Sequence, residues 1–227
     1  MGTITTASII ASAATLLQDE TNIRWPQAEL LKWLNDGQRE IVSYKPNTSV
    51  RNVAVQLVAG TKQTLPADGI SLIDIVRNMG SNGATPGRSV RIVMREILDA
   101  QIPDWHTATA AAAAKHYIYS LLDQKTFYVY PPQPSSAQGY VELVYSAAPT
   151  DALLSGAITV DDIYQTVLLD YILFRAYGKD IEYAADVARS QSYQQSYLAT
   201  LTGKAKGEAA INPNANAPAN PNSMKQR

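Results

Sequence analysis

VDDIYQTVLLDYILFRAYGKDIEYAADVARSQSYQQSYLATL, residues 160–201, reads as two consecutive helices to which the rest of the chain can be fitted. Val160, Ile163, Tyr164, Val167, Leu168, Tyr171 and Ile172 recur at the i, i+3, i+4, i+7 spacing of a single helix face. Leu169, Leu173, Phe174 and Tyr177 add apolar groups round much of the remaining circumference, the pattern of a helix covered on more than one side. Gly178, Lys179 and Asp180 interrupt it. A second helix follows, with Tyr183, Val187, Tyr197, Leu198 and Leu201 on its apolar side, and Gly203 is expected to end it. From there the composition falls into Asn, Ala and Pro without periodicity, a segment that cannot offset its ordering entropy by burying itself.

Working back toward the N-terminus, residues 5–18 carry a stripe of Ile9, Ile10, Ala13, Leu16 and Leu17, with Thr5 or Thr6 placed to cap a helix. Pro26 sits where helices accept proline, in the first turn, and opens a helix over 27–44. Leu30, Leu31, Leu34, Ile41 and Val42 share one side of that helix with Gly37, where a neighbouring helix could approach closely. At Ser49 the period changes from 3.6 to 2. Short strands are expected around Val53, Val55 and Leu57, over 62–65, 72–77 and 90–94, then 115–121, 126–130 and 140–145. The prolines after Tyr130 are expected to stop their strand, because proline cannot donate to a ladder. The alanine-rich residues 108–114 are too few to hold a helix unaided and read as a connector. The resulting fold class is α+β: a four-helix bundle from the N- and C-terminal helical pairs (1–48 and 158–203), an inserted antiparallel β-rich lobe (49–157) and a disordered C-terminal arm (204–227).

The chain of 227 residues has a formal net charge of -1, which argues against a protein that coats nucleic acid electrostatically. It has no cysteine, which removes disulfides and thiolate metal sites. The N-terminus lacks a basic region followed by a continuous apolar core, so a secretory signal is not expected, and no apolar run is long enough to span a membrane. The glycine-bearing loop 80–89 resembles a phosphate cradle only superficially. Asn82 stands where a P-loop has its first glycine, Arg88 replaces the lysine and a strand follows instead of a helix. His106 and His116, the only histidines, lie outside any zinc-binding spacing, and no nucleophile elbow exists. Asp161 and Asp162 stand at a helix start, where the macrodipole accounts for them. No catalytic residue, cofactor or metal is therefore expected. The strand aromatics Tyr117, Tyr119, Phe127, Tyr128, Tyr130, Tyr140 and Tyr145 admit an alternative reading, a single-stranded nucleic-acid-binding module in which bases stack on the rings. Cross-strand pairing within a sheet is the simpler account.

Blocks of sequence also carry a resemblance. Trp33-Leu34-Asn35-Asp36-Gly37-Gln38-Arg39-Glu40-Ile41, then Tyr117-Ile118-Tyr119 with Phe127-Tyr128-Val129-Tyr130-Pro131-Pro132, then Arg175-Ala176-Tyr177-Gly178-Lys179-Asp180-Ile181-Glu182-Tyr183-Ala184 resemble, in this order, the head-to-tail adaptor (connector) proteins of tailed bacteriophages, most closely those of short-tailed phages. The resemblance implies a structural virion protein and not an enzyme. It implies a ring homo-oligomer, usually of twelve subunits, at the head-tail junction or neck, assembled in the host bacterial cytoplasm. Its implied partners are further copies of itself, the phage portal protein, a tail or nozzle protein, and DNA that passes through the channel without sequence-specific binding; no membrane is involved. On that view Lys204, Lys206, Ile211, Pro213, Pro218, Pro221, Lys225 and Arg227 belong to a portal-docking arm. Leu169, Leu173, Phe174 and Tyr177 are candidate subunit contacts, since a closed ring needs a heterologous interface.

Overall fold

A computed structural model of the chain describes residues 2–179 and 184–211 and is α+β, with two compact units: Met1–Ile41 with Thr150–Arg227, and Val42–Pro149. The helices are α1 (Thr6–Leu16), α2 (Gln27–Tyr44), α3 (Arg95–Gln101), α4 (Gln165–Lys179) and α5 (Ala184–Ile211). The strands are β1 (Val50–Gln56), β2 (Gly60–Thr64), β3 (Gly69–Asn78), β4 (Arg91–Ile92), β5 (His116–Ser120), β6 (Asp123–Gln133) and β7 (Tyr140–Ala147). No helix among the described residues is long and apolar enough to cross a membrane.

In the helical unit, Thr5 caps α1 as expected, its side chain accepting from the Ser8 amide. Ile9, Ile10, Ala13 and Leu17 are buried, whereas Leu16 faces water. Before α4, Asp161 caps a 3-10 turn, Asp162–Tyr164, by accepting from the Ile163 amide. Asp162 does more than complement a dipole. Its carboxylate accepts from the Thr3 hydroxyl (2.6 Å), the Thr3 amide (2.6 Å) and the Ile4 amide (3.0 Å), which fastens the N-terminal segment. These bonds, the Thr3 hydroxyl foremost, hold the Asp162 carboxyl below its ordinary range.

Helix α4 is the centre of this unit, with Val167, Leu168, Tyr171, Ile172, Leu173 and Ala176 buried. Helices α1 and α5 pack on it. Helix α2 meets it at Gly37, where a Cβ would stand 3.0 Å from Tyr171 Cδ1 and 3.2 Å from Leu168 Cδ2, the close approach expected of that glycine. The α4–α5 contact uses small residues in the same way. Ala176 is buried, a Cβ on Gly178 would lie 3.2 Å from Ser190 Oγ, and Ser190 donates to the Phe174 carbonyl at 3.0 Å. Along α5, Tyr197 and Leu201 are buried and Leu198 is exposed. This helix does not end at Gly203. It continues through Gly203 and Gly207 to Ile211, so Lys204 and Lys206 are helical. A glycine stops a helix only by turning left-handed, and the run of Lys, Ala and Glu that follows favours continuation.

Asp170 is a buried carboxylate inside this unit, 8% exposed, whose Oδ2 accepts from Ser196 Oγ at 2.7 Å. Burial raises its pKa, with the Ser196 bond acting in the opposite sense. A carboxyl whose folded pKa is raised favours the fold most when protonated, and that contribution is lost as pH rises through the folded pKa. Asp170→Asn is therefore expected to raise the unfolding midpoint at pH 7, with the gain fading as pH falls below about 4, where the unfolded carboxyl also protonates. Thermal unfolding of both proteins across that range measures it.

In the other unit, two sheets enclose one core. Their strand orders are β1-β7-β3 and β2-β6-β5-β4. Leu72 and Ile75 of β3, Tyr117 of β5, Phe127 and Val129 of β6, and Val141, Leu143 and Tyr145 of β7 are buried together. Strand β1 lies at an edge, so Val53, opposite Leu143, remains 39% exposed despite its apolar alternation. The lobe is not wholly antiparallel, because β4 runs parallel to β5, with Arg91 opposite His116 and Ile92 opposite Tyr117. The long connection through α3 supplies the crossover that parallel pairing requires. Of the alternating set after the loop, Val90 is buried while Ile92 and Met94 are exposed.

The prolines after Tyr130 do not stop β6, which runs on to Gln133 and pairs there with Gly60. The missing proline donors are not needed at this point: Pro132 serves as an acceptor, taking the Ala111 amide at 2.9 Å. The alanine-rich connector is non-helical. Asn78 clamps Ala114, donating to its carbonyl and accepting from its amide, each at 2.8 Å. Gln133 donates to the Ala111 carbonyl at 3.0 Å. A smaller cluster of Leu98, Trp105 and Ile118 sits beside α3, where Trp105 Nε1 donates to Asp99 at 2.7 Å.

Candidate assembly surfaces

Loop 80–89 and the two histidines are built into the β unit. Loop 80–89 is strapped at its base, with Gly87 N donating to Asn78 O at 2.8 Å and Asn78 N to Arg88 O at 2.9 Å. Within it Asn82 Oδ1 accepts from the Ala84 amide at 3.0 Å. His106 is stacked on Trp105 at 3.6 Å and shares a 2.8 Å hydrogen bond with Thr61 Oγ1. His116 lies against Tyr130; burial, then the nearby Arg91 charge, lower its pKa. Among the described residues no three His, Asp or Glu side chains cluster so as to hold a metal.

Of the strand aromatics, Tyr117, Phe127 and Tyr145 are buried and present no face to a base. The Tyr117 hydroxyl donates to Asp74 at 2.8 Å; burial first, then this bond, push the phenol well above its ordinary pKa. Tyr145 donates to Asp68, which also pairs with Arg51 at 2.8 Å. Tyr119 lies opposite Phe127 and Ile118 opposite Tyr128 across the β5–β6 ladder, the cross-strand arrangement.

What the helical unit offers is surface for contact. Two open grooves adjoin the C-terminal half of α4. The first, about 510 Å³, is lined by Glu29, Trp33, Phe174, Arg175, Gly178 and Lys179. It is bridged by Lys179 Nζ, which donates to both Glu29 oxygens at 2.9 and 2.7 Å. The second, about 470 Å³, includes Leu17, Arg24, Trp25, Tyr177, Arg189 and Tyr193. There Tyr177 and Tyr193 stack with ring planes 2° apart, and the Arg189 guanidinium lies 5.6 Å from the Tyr177 centroid. Arg24 covers Trp25 in the same way, on a turn in which the Asp19 carboxylate accepts from the amides of Ile23, Arg24 and Trp25.

Of the four residues expected to contact other subunits, Phe174 lines the first groove, Tyr177 lines the second, and Leu169 is half-buried in neither. Leu173 is 1% exposed, enclosed by its own chain, and has no surface left for a neighbour. Trp25, Trp33, Arg189 and Tyr193 were not singled out by periodicity. An isolated aromatic beside an arginine or a paired Glu and Lys is the signal that could have found them. Among the residues of the expected docking arm, Lys204 donates to the Ile163 carbonyl and sits over the Tyr164 ring at 5.6 Å, an anchor within the helical unit. Lys206 is in α5 and Ile211 is its last residue; Pro213, Pro218, Pro221, Lys225 and Arg227 lie outside the described residues.

The block 33–41 acquires a physical meaning. Leu34 and Ile41 are fully buried and Gly37 admits α4. Asn35 and Gln38 are buried polar residues that bind the backbone of the segment entering α4. A family model described as SU10 adaptor protein matches residues 4–221, nearly the whole chain, and agrees with the resemblance that those blocks carry. No curated protein matches the chain.

Proposed function

Since the chain belongs to the SU10 adaptor protein family, we propose that it is a structural virion protein that assembles into a ring between portal and tail or nozzle and continues the DNA channel. The observation that carries this reading is the family match over residues 4–221. In the ring, of twelve copies like those of the adaptors it resembles, α1, α2, α4 and α5 act as one bundle. Leu169, Phe174 and Tyr177, with the two grooves beside them, form part of the contact between subunits. A net charge of -1 suits a channel wall that DNA slides past without being held. The segment after α5 docks on the portal, and the protein acts at the head-tail junction, having been made in the host cytoplasm.

Deleting residues 212–227 tests the docking. The expected product folds and assembles as the full chain does but does not attach to portal-bearing heads. Normal attachment by the shortened protein would overturn the portal-docking role.

A further inference from the structure

The turn between β5 and β6 consists of Leu121 and Leu122, which are 80% and 99% exposed. Two-residue hairpin turns commonly carry Asn, Asp or Gly, and leucine has no turn preference that would account for two of them here. A single exposed leucine needs no explanation, but a pair at the tip of a hairpin forms an apolar knob. The tip is held in shape by its flanks. Ser120 pairs with Asp123, the Leu122 amide donates to Ser120 Oγ at 3.3 Å, and the Tyr119 hydroxyl donates to the Gln124 carbonyl at 3.1 Å.

The other end of the same hairpin adjoins a pocket of about 230 Å³ lined by Asn78, Gly80, Ser81, Ala112, Ala113 and Tyr140. The amide of Asn78 is fully engaged with Arg88 and Ala114, and the Gly80 carbonyl with the Tyr140 amide. The pocket therefore offers mainly alanine methyls and a tyrosine ring, a lining suited to an aliphatic occupant. From Ala113 to Leu121, at the ~3.3 Å rise of a strand, knob and pocket are roughly 25 Å apart, too far to meet within one chain.

We propose that the knob of Leu121 and Leu122 on one copy seats in this pocket on the next copy. Knob and pocket are different surfaces, so the contact is heterologous and repeats head to tail, which closes into a ring when the rotation permits. Charge agrees with the pairing. Asp123 follows the knob, while Lys115 lies two residues from Ala113 and Arg88 is bonded through its carbonyl to Asn78; none has an ion-pair partner among the described residues. Closure of the series rests on the ring reading above; the contact itself rests on the β unit alone.

The absence of cysteine makes the test direct. Full-length Leu122→Cys/Ala113→Cys, treated with a short bismaleimide, is expected to give a ladder of linked multimers. Each single variant should stop at dimers. Leu122→Asp, which changes an exposed side chain and should leave the circular dichroism unchanged, is expected to weaken self-association by about tenfold or more. If the unmodified chain has a defined oligomeric mass but the double variant gives no ladder, the pairing is overturned and the ring reading survives. An unmodified chain that stays monomeric even at millimolar concentration also overturns the pairing, and leaves the ring reading to an assembly built on the portal.

Discussion

Gly139→Ala is expected to destabilise the β unit by about 3 kcal/mol, a shift of roughly 10 °C in its unfolding midpoint. A Cβ at this position would lie 1.9 Å from the Ala112 carbonyl oxygen and 2.9 Å from its carbon. Both are backbone atoms, so no side-chain rotation relieves the overlap. The connector cannot simply withdraw, because Ala111 is bonded to Pro132 and Gln133, and Ala114 to Asn78. Gly139 is fixed too, donating to Gln133 Oε1 at 3.0 Å and accepting from the Leu57 amide at 2.9 Å. Chemical denaturation followed by a β-sheet signal measures the loss, and an unchanged midpoint would show that the connector does not lie against Gly139. Gly203→Ala is the contrasting control. Nothing lies within 4 Å of that position and it is helical, so alanine should add up to about 1 kcal/mol through helix propensity.

Gln38→Ala is expected to cost the helical unit about 3 kcal/mol. The side chain is 1% exposed, and its Oε1 accepts from the Thr159 amide at 2.6 Å and the Thr159 hydroxyl at 2.8 Å, with the Val160 amide at 3.4 Å. Its Nε2 donates to Asn35 Oδ1 at 3.0 Å, and Asn35 in turn exchanges bonds with Ala152. Truncation leaves buried donors with no acceptor, each costing about 1–3 kcal/mol unless water enters. Hydrogen exchange at the Thr159 and Val160 amides should accelerate along with the fall in stability. Because Asn35 and Gln38 form one network, Asn35→Ala and the double variant should be non-additive. Arg39→Ala, next along the chain but exposed and paired among the described residues with Asp36 and Asp151, should change stability by no more than about 1 kcal/mol. An equal loss at Arg39 would argue against the buried amide network as the source.

These two sites illustrate what each level of description contains. The helical period places Gln38 on the inner side of α2 together with Leu34 and Ile41, so its burial is legible in sequence. Its acceptor role is not, since Thr159 is 121 residues away and nothing local marks it. The candidate assembly residues divide the same way. An apolar excess on α4 is visible in the spacing of Leu169, Leu173, Phe174 and Tyr177, but which of them remain uncovered depends on where α1, α2 and α5 pack. Leu173 is covered and the other three are half-exposed. The Leu121 and Leu122 turn is plain in the sequence as two apolar letters. It becomes a knob only once β5 and β6 pair around it.

By itself the sequence determined whatever depends on neighbours a few residues apart. The Thr5 cap, the start of α2 after Pro26, the small residue at Gly37, and the positions of the principal strands follow from propensity, capping and periodicity. Only the tertiary structure decided the features whose energies come from partners distant in the chain. The connector stays non-helical because Asn78 and Gln133 satisfy its backbone, outweighing the helix propensity of its alanines. Strand β6 passes its prolines because Ala111 and Gly60 are there to pair with it, and β4 runs parallel because a crossover brings it beside β5. A buried hydrogen bond or a packed side chain outweighs a few tenths of a kcal/mol of local preference, and it does so only when the fold has brought its partner close.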